Sequence, residues 1–319
     1  MAEIKTAVVA IGGNALLRAG EEPTIENQIK NVRETANYLA QMVKMGYDIV
    51  ITHGNGPQVG NLLLQNEISK DTVPPMPMDV CVAESQGQIG YLLQQMLTNQ
   101  LRLIGIEREV APIITRVLVR EDDPAFENPT KPVGPYYSEE DARRLMQEKG
   151  WKMRFDAARG GYRRVVPSPE PIDIVEKASI KRMVFGGDDQ STIVVASGGG
   201  GIPVVNQGNR LFGVDAVIDK DLAGCVLANS IGEKFFIILT DVPGVYINFR
   251  KEGEKAIESA TLEEIKRYQA EGHFGEGSMG PKIKAVIRFL ENGGEQALIT
   301  SPENLIEALN GRAGTHIFA

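Results

Sequence analysis

The chain has 319 residues, enough for one large domain or two ordinary ones, and its 42% apolar and 24% charged residues are the balance of a globular protein with a sizeable core. A net charge of −8 argues against general binding to nucleic acid or to an anionic membrane, which needs basic patches, but leaves room for a phosphate ligand held by a few local lysines. Cys81 and Cys225 lack metal-ligand spacing and read as buried thiols in a reducing compartment; with no signal-peptide pattern and no apolar run long enough to span a bilayer, a cytoplasmic location is expected.

From the N-terminus, Thr6-Ala-Val-Val-Ala-Ile11 is an apolar strand that stops at Gly12 and Gly13. Between Thr24 and Met45 the residues Ile29, Val32, Ala36, Leu39, Ala40 and Val43 recur at helical spacing, with Gly46 as the cap. Tyr47 to Thr52 is the next strand, and it runs into His53-Gly-Asn-Gly-Pro-Gln58. Val59 to Glu67 reads as a short helix, Asp79 to Leu103 as a long one, and Glu109 to Val119 as a strand. This alternation implies a mainly parallel sheet covered by helices on both faces.

The rhythm breaks over residues 120–168, where Asn128-Pro-Thr-Lys-Pro132, a short polar helix over Glu139 to Lys149 and a basic segment over Arg154 to Arg164 suggest an inserted subdomain or lid. Strand pattern resumes at Thr192 to Ser197, which ends in Gly198-Gly-Gly-Gly201, and continues through Ile202 to Val205 and Phe235 to Asp241. Lys282 to Asn292 is an amphipathic helix, and Ala297 to Thr300 and Thr315 to Phe318 are short strands.

The chemistry is carried by glycines and lysines. Each of the two strand-ending glycine turns leads toward a helix, and bare backbone N–H groups in that setting can hold an anion without a cationic side chain. There is no Gly-x-x-x-x-Gly-Lys phosphate loop, and Gly54-Asn-Gly-Pro-Gln-Val-Gly60 misses the dinucleotide fingerprint by one residue of spacing, which leaves a dehydrogenase as a remote alternative. None of His53, His273 and His316 has a partner at metal spacing; His53 reads as a turn stabiliser rather than a catalyst. Lys220 lies between Asp219 and Asp221, either as a held phosphate-binding lysine or as part of an exposed charge cluster at a helix start. Lys282 falls in the first turn of a helix opened by Gly and Pro, where a cation is unfavourable unless an anion is bound. Lys131 is set rigidly between Pro129 and Pro132.

Together Ile11-Gly-Gly-Asn-Ala15, His53-Gly-Asn-Gly-Pro-Gln-Val-Gly60, Asn128-Pro-Thr-Lys-Pro132, Val165-Val-Pro-Ser-Pro169, Asp215-Ala-Val-Ile-Asp-Lys-Asp221 and Gly277-Ser-Met-Gly-Pro-Lys282 resemble the carbamate kinases of the amino-acid kinase superfamily, from the first strand to the C-terminus. The resemblance implies a three-layer αβα sandwich over residues 1–319 with a protruding subdomain at 120–168. It implies phosphoryl transfer between ATP and carbamate, giving ADP and carbamoyl phosphate, with Mg²⁺, in arginine and carbamoyl-phosphate metabolism and in a homodimer.

Carbamate is then expected on the backbone of Gly12, Gly13, Gly54 and Gly56, with Asn14 and Asn55 nearby. Lys131 and Lys220 are expected to bridge carbamate and the γ-phosphoryl group and Lys282 to neutralise the β,γ region, with Asp221 holding the lysines. The ATP site is expected at Asp215, Thr240, Asp241, Tyr246, Met279 and Lys282, and no metal site formed by the protein itself is expected. The alternatives are a superfamily phosphotransferase with another small acceptor and a nucleotide-binding regulator; three retained lysines argue against the second.

Overall fold

The computed structural model describes residues 5–13, 16–18, 20–157, 160–186, 191–275 and 279–319. Strand β1 (Lys5–Ile11) leads into helix α1 (Ile25–Lys44), which is opened by the Thr24 hydroxyl accepting from the Asn27 N–H and closed at Met45, just before the left-handed Gly46. After β2 (Tyr47–His53), α2 runs over Gly56–Ser69, three residues earlier than the apolar pattern suggests. Pro57 permits the early start because a first-turn proline gives up no helix hydrogen bond. Helix α3 (Met78–Leu103) follows.

The single strand expected over Glu109 to Val119 is instead two, β3 (Val110–Pro112) and β4 (Arg116–Leu118), in different sheets. At the break, Gln86 of α3 takes over the backbone of Thr115, accepting from its N–H at 2.8 Å and donating to its carbonyl at 3.1 Å. Residues 131–166 contain β5 (Lys131–Tyr137), α4 (Glu139–Lys149), β6 (Lys152–Asp156) and β7 (Gly161–Val166), with the strands forming an antiparallel sheet in the order β5-β7-β6.

Next come β8 (Asp173–Ile174), α5 (Lys177–Phe185), β9 (Ile193–Val195), β10 (Ile202–Gln207), β11 (Arg210–Gly213) and α6 (Lys220–Ile231). The C-terminal third holds β12 (Phe235–Leu239), the hairpin β13 (Val245–Ile247) and β14 (Lys255–Ile257), β15 (Ser259–Thr261), α7 (Leu262–Ala270), α8 (Met279–Glu291), β16 (Gln296–Thr300), α9 (Leu305–Leu309) and β17 (Thr315–Phe318).

The main sheet has eight strands in the order β15-β17-β16-β12-β1-β2-β9-β3, all neighbours parallel except β16 and β17. Its faces follow from strand alternation. Val8 and Ala10 of β1 pack with Leu222, Val226, Val286 and Phe289 of α6 and α8, whereas Ala7, Val9 and Ile11 pack with α1, α3 and α9 through Val32, Leu93 and Leu305. These are the three layers expected from the sequence. No helix among the described residues is long and apolar enough to cross a membrane.

Candidate active site

The carboxyl ends of β1, β2 and β12 meet at one edge of the sheet, where ligands of open α/β sheets bind. Pairing continues one residue past each strand: the Gly12 N–H donates to the Leu239 carbonyl and the Gly54 N–H to the Ile11 carbonyl, both at 3.1 Å. These two N–H groups are therefore engaged in the sheet and cannot cradle carbamate, which corrects that part of the sequence expectation. Gly13 and Gly56 donate to no partner among the described residues; Gly56 opens α2, where the first N–H groups have no acceptor within the helix. Asn14 lies outside the described residues.

Asn55 is turned inward: it is 3% exposed and its Nδ2 donates to Ser85 Oγ at 2.8 Å, so it supports the loop from beneath rather than facing the acceptor. His53 Nδ1 lies 2.9 Å from the Gly54 carbonyl, and since a carbonyl only accepts, this nitrogen carries the proton. Burial pushes the imidazole down to about 4, so the ring is neutral and acts as a turn stabiliser. Gly198 and Gly199 press on both side chains. A Cβ there would come within 2.3 Å of His53 Nε2 and 2.1 Å of Asn55 Nδ2, which is why the turn after β9 consists of glycine.

The lysines converge on two carboxylates. Asp219 caps α6, its Oδ1 accepting from the N–H groups of Asp221 and Leu222, while its Oδ2 accepts from Lys131 Nζ at 2.8 Å. Asp221, 2% exposed, accepts from Lys220 Nζ at 2.8 Å on one oxygen and from Lys282 Nζ at 3.1 Å on the other. The Lys220 stem runs over the glycine turn: a Cβ on Gly54 would sit 3.3 Å from Lys220 Cδ and 3.5 Å from the Gly13 nitrogen. Gly54 thus makes room for Lys220 instead of offering its own N–H.

Three ammonium groups meet two carboxylates, so the lysine cluster itself carries one positive charge in excess, an attraction for an anion. For Asp219, burial opposes ionisation, but the charge and hydrogen bond of Lys131, then Lys220 and the Leu222 N–H, bring it down to about 2. Burial likewise opposes charge on Lys220, yet Asp221 and then Asp219 raise its pKa. Lys282 moves the other way, because burial and the neighbouring Lys220 charge outweigh its share of Asp221.

Two cavities meet at Lys282, and one of them also takes in Lys220. One, of about 390 Å³, is walled by Tyr246, Phe249, His273, Phe274, Met279 and Lys282. The other, of about 360 Å³, is lined by Gly12, Gly13, Arg18, Asn31, Lys220, Lys282 and Glu303; Thr240, Asp241 and Lys282 are common to both. Tyr246, Met279, Thr240 and Asp241, expected from the sequence at an ATP site, line the first of these cavities together. Phe249, His273 and Phe274 were missed, since aromatics on a hairpin and an inter-helix turn carry no spacing signal of their own.

Asp215 is the exception among the expected ATP residues. Its Oδ1 accepts from the Met78 N–H at 3.3 Å at the start of α3, and its charge faces Arg164. It serves that helix terminus and lines neither cavity. Among the described residues no group of three metal-ligating side chains occurs, and both oxygens of Asp219 and of Asp221 already accept hydrogen bonds.

A profile of the amino acid kinase family matches residues 5–301. Carbamate kinase from Thermococcus kodakarensis is 51% identical over 326 residues, covering 98% of this chain and 99% of that protein, and the one from Pyrococcus furiosus is 50% identical with the same coverage. The chain belongs to the amino acid kinase family, among its carbamate kinases. A solved structure of carbamate kinase from Giardia lamblia bound to AMP-PNP superimposes with a TM-score of 0.92 at 43% identity, covering 100% of this chain and 99% of that one. Membership in the amino acid kinase family agrees with the three-layer fold, and the lysine cluster lies where the motifs that first suggested the family come together.

Proposed function

We propose that this chain transfers a phosphoryl group reversibly between ATP and carbamate, giving ADP and carbamoyl phosphate. The observation that carries this reading is the convergence of Lys131, Lys220 and Lys282 on two carboxylates, with Lys282 standing where an aromatic-walled cavity meets a polar one. Adenosine takes the cavity of Tyr246, Phe249 and Met279, the phosphates pass Thr240 and reach Lys282, and carbamate lies against the N–H groups of Gly13 and Gly56.

The reaction needs no proton transfer. An anionic oxygen of carbamate attacks the γ-phosphorus while the bond from that phosphorus to the bridging oxygen breaks, and its electron pair stays on ADP. The neutral His53, its N–H engaged by the Gly54 carbonyl, fits a site that works without a general base. What remains for the protein is alignment and charge. Lys131 and Lys220 balance charge on the transferred group and Lys282 balances it on the leaving phosphate, each contact being worth roughly 2–4 kcal/mol in the transition state.

Mg²⁺ belongs with the nucleotide as part of the substrate, where it neutralises phosphate charge. Asp219 and Asp221 are committed to lysines and helix N–H groups and do not suit a metal cage formed by the protein. Residues 120–168 act as a lid that brings Lys131 over the acceptor and excludes water, and the working assembly is a homodimer.

The test is a coupled assay with ADP, carbamoyl phosphate and Mg²⁺ as the only substrates, following ATP. Rapid ATP formation supports the reading. Its absence from folded protein that still binds ADP would reject it.

A further inference from the structure

Gly60 is the one glycine of the His53 to Gly60 motif that the site leaves unexplained. It is buried within α2, where glycine weakens a helix, so its presence calls for a reason. The reason lies across the interface with the 131–166 sheet. A Cβ on Gly60 would stand 3.2 Å from the Gly134 nitrogen and 3.3 Å from its Cα, so the backbones of α2 and β5 touch here with no side chain between them.

The partner residue is just as specific. Gly134 has φ +72° and sits where the β5–β7 register shifts between Val133 and Tyr137. Its carbonyl accepts from the Arg163 guanidinium on β7, at 3.2 Å from Nε and 3.0 Å from a terminal nitrogen, which ties the irregular strand to its sheet neighbour. Farther along the same helix, Glu67 is ion-paired with Lys149 at the end of α4.

Helix α2 therefore has the acceptor turn at its first residue, Gly56, and the seat of β5 at Gly60. Lys131, which opens β5, lies three residues before Gly134 and reaches Asp219. We propose that the Gly60–Gly134 backbone contact is a positioning joint that sets the distance of Lys131 from the acceptor turn, so that Gly60 acts on phosphoryl transfer through Lys131. This rests on the reading that Lys131 serves the transfer to and from carbamate.

The test is a double-mutant cycle of Gly60→Ala with Lys131→Ala, scored as ATP formation from ADP and carbamoyl phosphate. Gly60→Ala is expected to lower kcat about tenfold, since a small misplacement of a catalytic group is costly, with ADP KM and Tm near those of the native chain. In the Lys131→Ala background the same change is expected to alter kcat by less than about twofold, because its effect passes through the missing lysine. Should Gly60→Ala fail to fold, Glu67→Gln loosens the same seat without adding bulk and is expected to show the same dependence on Lys131. An unchanged kcat in Gly60→Ala, or in Glu67→Gln where that replaces it, or an equal loss in both backgrounds, overturns the joint. Full activity of Lys131→Ala alone would instead reject the role given to Lys131.

Discussion

Lys131 on β5 and Asp219 at the cap of α6 are joined by a 2.8 Å ion pair between the 131–166 sheet and the main layers. The same carboxylate fixes the start of the helix that carries Lys220 and Asp221, so one residue aligns two lysines that arrive from different parts of the chain. Asp219→Asn separates these duties. Asparagine caps helices as well as aspartate does, but it lacks the charge that a folded pKa of about 2 marks as stabilised by about 2 kcal/mol, so Asp219→Asn should cost up to about that much and Asp219→Ala about 1 kcal/mol more. Both variants should lower kcat, and a normal kcat in Asp219→Asn, alongside its melting temperature, would show that the ion pair does not matter for transfer.

Lys220→Ala should reduce turnover about 10²–10³-fold, the loss of one charge contact worth roughly 2–4 kcal/mol to the transition state. Asp221 keeps Lys282, so the fold should survive. Steady-state kinetics with a thermal melt decide the matter: near-native turnover at native stability would remove Lys220 from the reaction.

Gly56→Val probes the acceptor side. The backbone at Gly56 is outside the left-handed region and a Cβ there meets nothing within 4 Å, so the fold does not require glycine at this position and the melting temperature should hold. Carbamate KM should rise while ADP affinity stays near native, because the side chain crowds the N–H groups at the start of α2. If both ligands suffer equally, Gly56 has no part in holding the anion.

His53 should impose a pH dependence on stability. Its folded pKa of about 4 lies below the unfolded value, so the folded protein declines a proton that the unfolded chain takes up. The contribution is complete above the unfolded pKa near 6.5, falls as pH drops, and should cost about 2 kcal/mol between pH 8 and pH 5. His53→Asn, which can still donate to the Gly54 carbonyl, should flatten this part of the profile in chemical denaturation. An unchanged slope would assign the acid sensitivity to other groups.

Thiol reagents should leave the native chain unmodified. Cys81 and Cys225 are both fully buried, and burial pushes their thiols up to about 11 and about 12, far from the reactive thiolate. Intact-mass measurement after exposure to an alkylating reagent should show no adduct until denaturant is added, and rapid modification of the native protein would contradict this burial.

Local pattern by itself determined the α/β class, the placement of most helices and strands, and the two glycine turns. Apolar alternation and helical periodicity are properties of neighbouring residues, so Thr24 to Met45 and Tyr47 to Thr52 could be read to within a residue or so. The motifs also marked Lys131, Lys220 and Lys282 as the cations to watch. Tertiary structure alone decided which carboxylate each one meets: Lys131 and Asp219 are 88 residues apart and Lys282 and Asp221 are 61 apart, separations bridged by strand order and helix packing. The same holds for the Gly12 and Gly54 N–H groups, whose engagement depends on which strands become neighbours, and for the division of residues 109–119 between two sheets. Asp215 follows the same rule, its short-range motif suggesting a nucleotide while the fold delivers it to the start of α3. Residue type announces what a group can do, but its partner is set by a backbone path that no local window contains.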